Sequence, residues 1–177
     1  MRGISIAGGK GGGGGIGAGI SPGHSYHLTI VAAGGNGGAS RDLGVFSKDE
    51  TVYTVSLSMK DAGGGPDWPM QYALFTKPKV RVVLSPPYPL KQVEATTQET
   101  FSDNSPVFIA AEIIETGELR SLRAARASDT RAAAAIAVLS QWRFSPAKLD
   151  GTTVPVKVVI GVEFSKVHSE AQRSGSR

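Results

Sequence analysis

Three constellations in the chain have residue types and spacings from which chemistry is commonly built. His24 and His27 stand three residues apart, a spacing that suits two imidazole metal ligands. The chain has no cysteine, no carboxylate lies beside the pair, and the third histidine, His168, is in the C-terminal tail. Imidazoles that lack a third ligand are usually surface residues, so no metal is expected. Gly12-x-Gly14-x-x-Gly17 spells a dinucleotide fingerprint. No strand precedes it and no helix follows, so the phosphate-cradling geometry is missing, and Gly11 after Lys10 excludes a P-loop. Glu112, Glu115 and Glu118 cluster around a turn. A paired-carboxylate mechanism would need a sugar-binding cleft that a small sheet does not supply. Serines are many, but none lies in a Gly-x-Ser-x-Gly elbow. The expectation is a protein without enzymatic activity or cofactor.

Composition narrows the remaining classes. The chain has 177 residues, of which 40% are hydrophobic and 19% charged, enough apolar material for a core. Net charge is +4, but the only local basic cluster is Arg120, Arg123, Arg126 and Arg131. Nucleic-acid readers need a basic stripe interleaved with aromatics or a recognisable motif, so nucleic acid is not an expected partner. The absence of cysteine excludes disulfides without fixing the compartment. No run approaches the roughly 20 apolar residues of a membrane helix. Arg2 is not followed by an apolar signal region. The chain as given is expected to be soluble.

The elements available to carry a function are set by periodicity. Residues 1–23 form a glycine-rich leader, expected to be a flexible tether. Residues 24–76 read as β-rich. His27–Ala33 is a short strand closed by the Gly34–Gly38 loop, Thr51–Met59 alternates with period two, and Met70–Phe75 is a further strand. This unit is short for a domain and is expected to pack on the segment C-terminal to it. Residues 77–165 form the main domain. Its proline-rich start, Pro78 to Pro89, is extended at Ser85–Pro89. Val107–Ile114 and Leu119–Ala125 make a hairpin around Gly117. A helix runs from Ser128 or Asp129 to Gln141, with Ala132, Ala135, Ile136 and Leu139 on one face. Pro146 forces an exit, Lys148–Gly151 turns, and Val154–Phe164 is a long strand of alternating valines. Residues 166–177 are a polar tail. The fold class is α+β, a small antiparallel sheet with a helix packed on one face.

This order resembles the C-terminal domain of the TonB family of energy transducers. The residues that carry the resemblance are Tyr88-Pro89, the turn at Gly117, and above all Gln141-Trp142-Arg143-Phe144-Ser145-Pro146-Ala147. Asp150-Gly151 and the valine strand ending at Phe164 complete it. The resemblance covers about Ser85–Phe164. The sequence departs from the family in a longer Lys91–Pro106 segment and in Ser105-Pro106-Val107 where the family has a glycine. The family's membrane helix and Pro-rich spacer do not appear in the sequence given.

The resemblance implies a periplasmic module, membrane-anchored in a full-length form. Such a module grips an extended segment of an outer-membrane receptor and passes on force from a proton-driven inner-membrane complex. The physical mode it implies is β-augmentation on a free edge of Val154–Phe164. Pro155, Lys157, Val159, Gly161 and Glu163 are the candidate partner-binding residues, with Tyr88 and Pro89 as a second, flanking contact. Pro155, Lys157 and Gly161 also read as devices that blunt an edge against aggregation. The alternative function is a structural or interaction domain that forms a homodimer through its edge strand.

Overall fold

β-Branched residues at alternate positions favour extended backbone and present one face to a core, and the valine run near the C-terminus becomes the centre of the molecule. The computed structural model describes residues 43–47, 49–60, 62, 65–80, 82–97 and 105–166. The leader, the His27–Ala33 strand, the Gly34–Gly38 loop, all three histidines and the tail from residue 167 lie outside them.

In chain order the strands are β1 (Val52–Leu57), β2 (Trp68–Leu74), β3 (Leu84–Ser85), β4 (Tyr88–Lys91), β5 (Thr96–Thr97), β6 (Val107–Ile113) and β7 (Leu119–Ala124). Helix α1 (Ala132–Leu139) is next. Then come β8 (Arg143–Ser145), β9 (Ala147–Leu149), β10 (Thr152–Val154), β11 (Val156–Val162) and β12 (Ser165–Lys166). The principal sheet is antiparallel, in the order β1-β2-β11-β6-β7. A three-stranded antiparallel sheet, β10-β9-β3, adjoins it, and β4 pairs antiparallel with β8. A two-residue parallel pair joins β12 to β5. The fold is thus α+β, with one helix among the described residues, as the patterning indicates, and β1 and β2 share a sheet with the hairpin and the valine strand.

The long strand expected over Val154–Phe164 is divided. Pro155 has no N–H to donate, and at that residue the chain passes from β10 in the small sheet to β11 in the large one. The helix is also shorter than expected. Arg131 precedes it without a side-chain cap, while Asp129 accepts from the Arg131 backbone N–H and through its own carbonyl from Ala132 N–H. Ala132, Ala135 and Leu139 are buried in the core, Ile136 and Val138 pack against it half-buried, and the small alanines allow close approach to β6 and β7. The Asp150-Gly151 turn has φ of 47° and 84° at its two central residues, both in the left-handed region that a two-residue type I′ hairpin requires.

The core lies on one face of the principal sheet. Register places Tyr53, Tyr72, Val158 and Ala111 in one row, and Val55, Met70, Ile160 and Ile109 in the next. Trp142, fully buried, lies over this face, with its ring stacked on Trp68 at 5.0 Å and tilted against Phe144 at 5.9 Å. Its Nε1–H donates to Val93 O at 3.0 Å, so the indole's polar atom is satisfied inside the core. Gly117 fits the same assembly. Its φ is 83°, a Cβ there would come within 1.8 Å of Phe144 O, and its carbonyl accepts from Phe144 N–H at 2.9 Å. The hairpin turn and the aromatic-Arg-Phe run are therefore two halves of one contact.

Trp142→Ala should destabilise the protein by about 3–5 kcal/mol, the range for removing a buried aromatic. Chemical denaturation measures this; an unchanged midpoint would contradict the packing described.

Candidate functional site

A site for strand addition needs a row of backbone N–H and C=O groups that no neighbouring strand has taken. On β11 no such row exists over most of its length. β6 lies along one side, with Val156 through Val162 opposite Ile113 through Val107. β2 lies along the other, with Val156 through Ile160 opposite Leu74 through Met70. The expectation that the valine strand borders an unpaired margin is therefore corrected. The strand is central, and the residues that fill its margin come from the segment before the Pro-rich stretch.

The outward residues of that strand are also engaged by the chain itself. Pro155 is half-buried at the junction between the two sheets. Lys157 donates to the Glu50 carboxylate and lies 5.8 Å from the centre of the Phe75 ring. Val159 is buried in a small second cluster with Phe46, Val52, Ala73 and Ala110, and Leu43, Val45 and Phe108 pack against it. Gly161 faces Pro69, whose Cγ would stand 2.8 Å from an added Cβ, with Phe108 and Pro106 close behind. Glu163 is half-buried just beyond β11, and burial raises its carboxyl pKa. Tyr88 and Pro89 lie in β4, opposite Ser145 and Phe144 of β8. Lys157, Val159 and Gly161 thus lie within the paired ladder of β11, Tyr88 and Pro89 lie in the β4–β8 pairing, and Pro155 and Glu163 flank β11 on either end, so the seven do not line one open groove.

The margins that remain are the outer strands. β7 carries exposed Arg120 and Arg123, and has an extra residue opposite Ala111, with Ser121 at a φ of 54°. Charge and a bulge are the usual means of protecting an edge. β1 differs. Val52-Tyr53-Thr54-Val55-Ser56-Leu57 contains no charge, proline or glycine, runs in unbroken register with β2 over all six residues, and has no strand on its other side among the described residues. Tyr53 stacks on Tyr72 at 5.1 Å, and Gln71 donates to Thr54 Oγ1 at 3.1 Å, so β1 is held flat against its neighbour. Alternation marks β1 as a half-buried strand but does not assign it to an edge, because strand order is not written in periodicity.

Other candidate groups resolve simply. Of the basic cluster, Arg131 pairs with Asp129 at 3.1 Å and donates to Ser105 O, and Arg120 lies 3.6 Å from Glu118 in solvent. Among the described residues no set of three His, Asp or Glu side chains is placed to hold a metal. No helix among them is long and apolar enough to cross a membrane.

This placement has two measurable consequences. Val159→Pro removes a ladder hydrogen bond from a central strand and should cost about 3 kcal/mol or more. A variant that melts like the parent would mean β11 is an edge after all. The Glu50–Lys157 pair gives the second. Burial alone raises the Glu50 pKa, but the hydrogen bonds from Lys157 and the Ser47 backbone and the Lys157 charge outweigh it, leaving it below 4.5. A lowered native pKa adds stability that is complete above the unfolded value and lost as pH falls through the native one. The melting difference between parent and Glu50→Gln should therefore be present at neutral pH and vanish below that native pKa; a difference that persists there contradicts the assignment.

Residues 104–165 fit the family model described as Gram-negative bacterial TonB protein C-terminal, which is roughly a third of the chain. No curated protein and no solved structure matches. The matched segment takes in β6, β7, α1 and the strands through β11, so the residues similar to the TonB C-terminal model form the β11-β6-β7 end of the principal sheet, and β1 and β2 lie outside the match.

Proposed function

Taking a TonB C-terminal family domain at residues 104–165 as the premise, we propose that the chain is a TonB-like periplasmic binding module. It captures an extended segment of an outer-membrane receptor as an added strand, and in an anchored form couples a proton-driven inner-membrane complex to transport. The docking strand in this reading is β1 rather than β11. For a receptor segment to reach β11, the β1–β2 hairpin would have to leave. Val55, Leu57, Met59, Trp68, Met70 and Tyr72 of that hairpin are all buried in the main core. At about 2 kcal/mol for each large side chain, their exposure costs on the order of 10 kcal/mol, which is comparable to the whole stability of a domain. The hairpin is structural, so the margin left without a neighbouring strand on that side, among the described residues, is β1.

The observation that carries the proposal is the contrast between the two outer strands: one bulged and cationic, the other uncharged and in unbroken register. Backbone hydrogen bonds would carry the affinity. A second reading rests on the same strand. With no charge in Val52–Leu57, antiparallel self-pairing of two copies opposes no like charges, which suits a two-fold homodimer.

Amide hydrogen exchange separates these readings, because alternate β1 residues direct N–H groups away from β2. Adding synthetic peptides from receptor N-terminal segments should slow exchange at alternate residues of Val52–Leu57 by roughly tenfold or more, leaving β11 unchanged. Protection that appears with protein concentration alone indicates the dimer. Loss of protection in β2 and β11 on peptide addition would mean hairpin displacement, and protection confined to β7 would overturn the assignment.

A further inference from the structure

We propose that the loop joining β2 to β3, residues 75–83, docks the protein on an anionic lipid surface. Phe75, Val80 and Val83 are 48%, 73% and 51% exposed, and only Leu90 joins them as an exposed large apolar side chain among the described residues. The exposed apolar surface is thus concentrated in one short stretch of chain, as interaction sites are. Exposed Lys77 and Lys79 are interleaved with these residues. The sequence from Trp68 to Val93 has Lys77, Lys79, Arg81 and Lys91 and no Asp or Glu.

The loop is held outward at both ends. Leu74 is paired with Val156 and Leu84 with Leu149. At its root, Asp150 accepts from Val83 N–H through its carboxylate at 2.8 Å and donates its own N–H to Val83 O at 2.9 Å. Lys157, 5.8 Å from the centre of the Phe75 ring, is already paired with Glu50, so the cations available to a lipid surface are those of the loop itself. Apolar side chains that insert at the headgroup boundary, with lysines alongside them for lipid phosphates, are the combination by which peripheral proteins bind anionic membranes. An acidic protein surface would satisfy the lysines but leave Val80 and Val83 without a role. The proposal is independent of which strand captures a peptide.

Sedimentation of the full chain with vesicles tests it. Binding is expected to phosphatidylglycerol mixed with phosphatidylcholine and not to phosphatidylcholine alone, and should weaken with added salt. Replacing both cations (Lys77→Gln with Lys79→Gln) should lower affinity about 25-fold, at roughly fivefold per cation. Val80→Ser should lower it further. These side chains are exposed, so melting should be unchanged in every variant. No binding, equal binding to both vesicle types, variants that bind like the parent, or full displacement by millimolar inorganic phosphate, which marks a free-anion site, would each overturn the proposal.

Discussion

Pairing of β2 with β11 governs the rest of this molecule. The five-residue ladder from Val156 to Ile160 places Trp68 at the level where it stacks on Trp142, and that stack joins a hairpin from outside the TonB-type segment to the aromatic run inside it. Without β2, the valine strand would end the sheet, and its backbone groups would be open to any extended chain. With β2 in place, the strand is buried on both faces and bonded on both sides. Both faces matter: Val158 and Ile160 serve the main core, while Val159 closes the smaller cluster around Phe46.

The same ladder explains why the outward residues of β11 are so varied. Lysine, glycine and proline along a strand read as an exposed margin, since each is unfavourable inside a sheet. Here each has a specific internal counterpart. Lys157 meets Glu50, Gly161 makes room for Pro69 and Phe108, and Pro155 marks the change from one sheet to the other. A polar or small residue at an outward position is thus compatible with a central strand when the neighbouring segment is built to receive it.

In the proposed reading, the capture site moves with the displaced edge. A sheet that captures extended peptides works through unpaired backbone groups, and two added strands move that resource outward rather than removing it. β1 has the properties of a usable edge, and β7 has those of a protected one. The lysine and valine loop at the end of β2 concerns a different surface of the chain, one defined by exposed side chains rather than by backbone.

Much of the architecture was legible in the residues themselves. The alternation in β1 and β11, the glycine at the Gly117 turn, the Asp150-Gly151 hairpin and the alanine face of α1 each reflect a local rule of backbone geometry or periodicity. The Trp142–Ala147 run carried the family likeness for a related reason: Phe144 and Gly117 form one close contact that tolerates few alternatives. Strand order was not legible. Whether β11 meets β2 or solvent depends on residues more than 80 positions apart in the chain, and period-two patterning specifies which face a side chain takes but not which strand lies beside it. The sequence by itself determined the elements, the turns and the inner face. Only the tertiary structure decided which strand is central and which, among the described residues, has a strand on one side only, because closing a long loop to pair distant strands leaves no local mark on either of them.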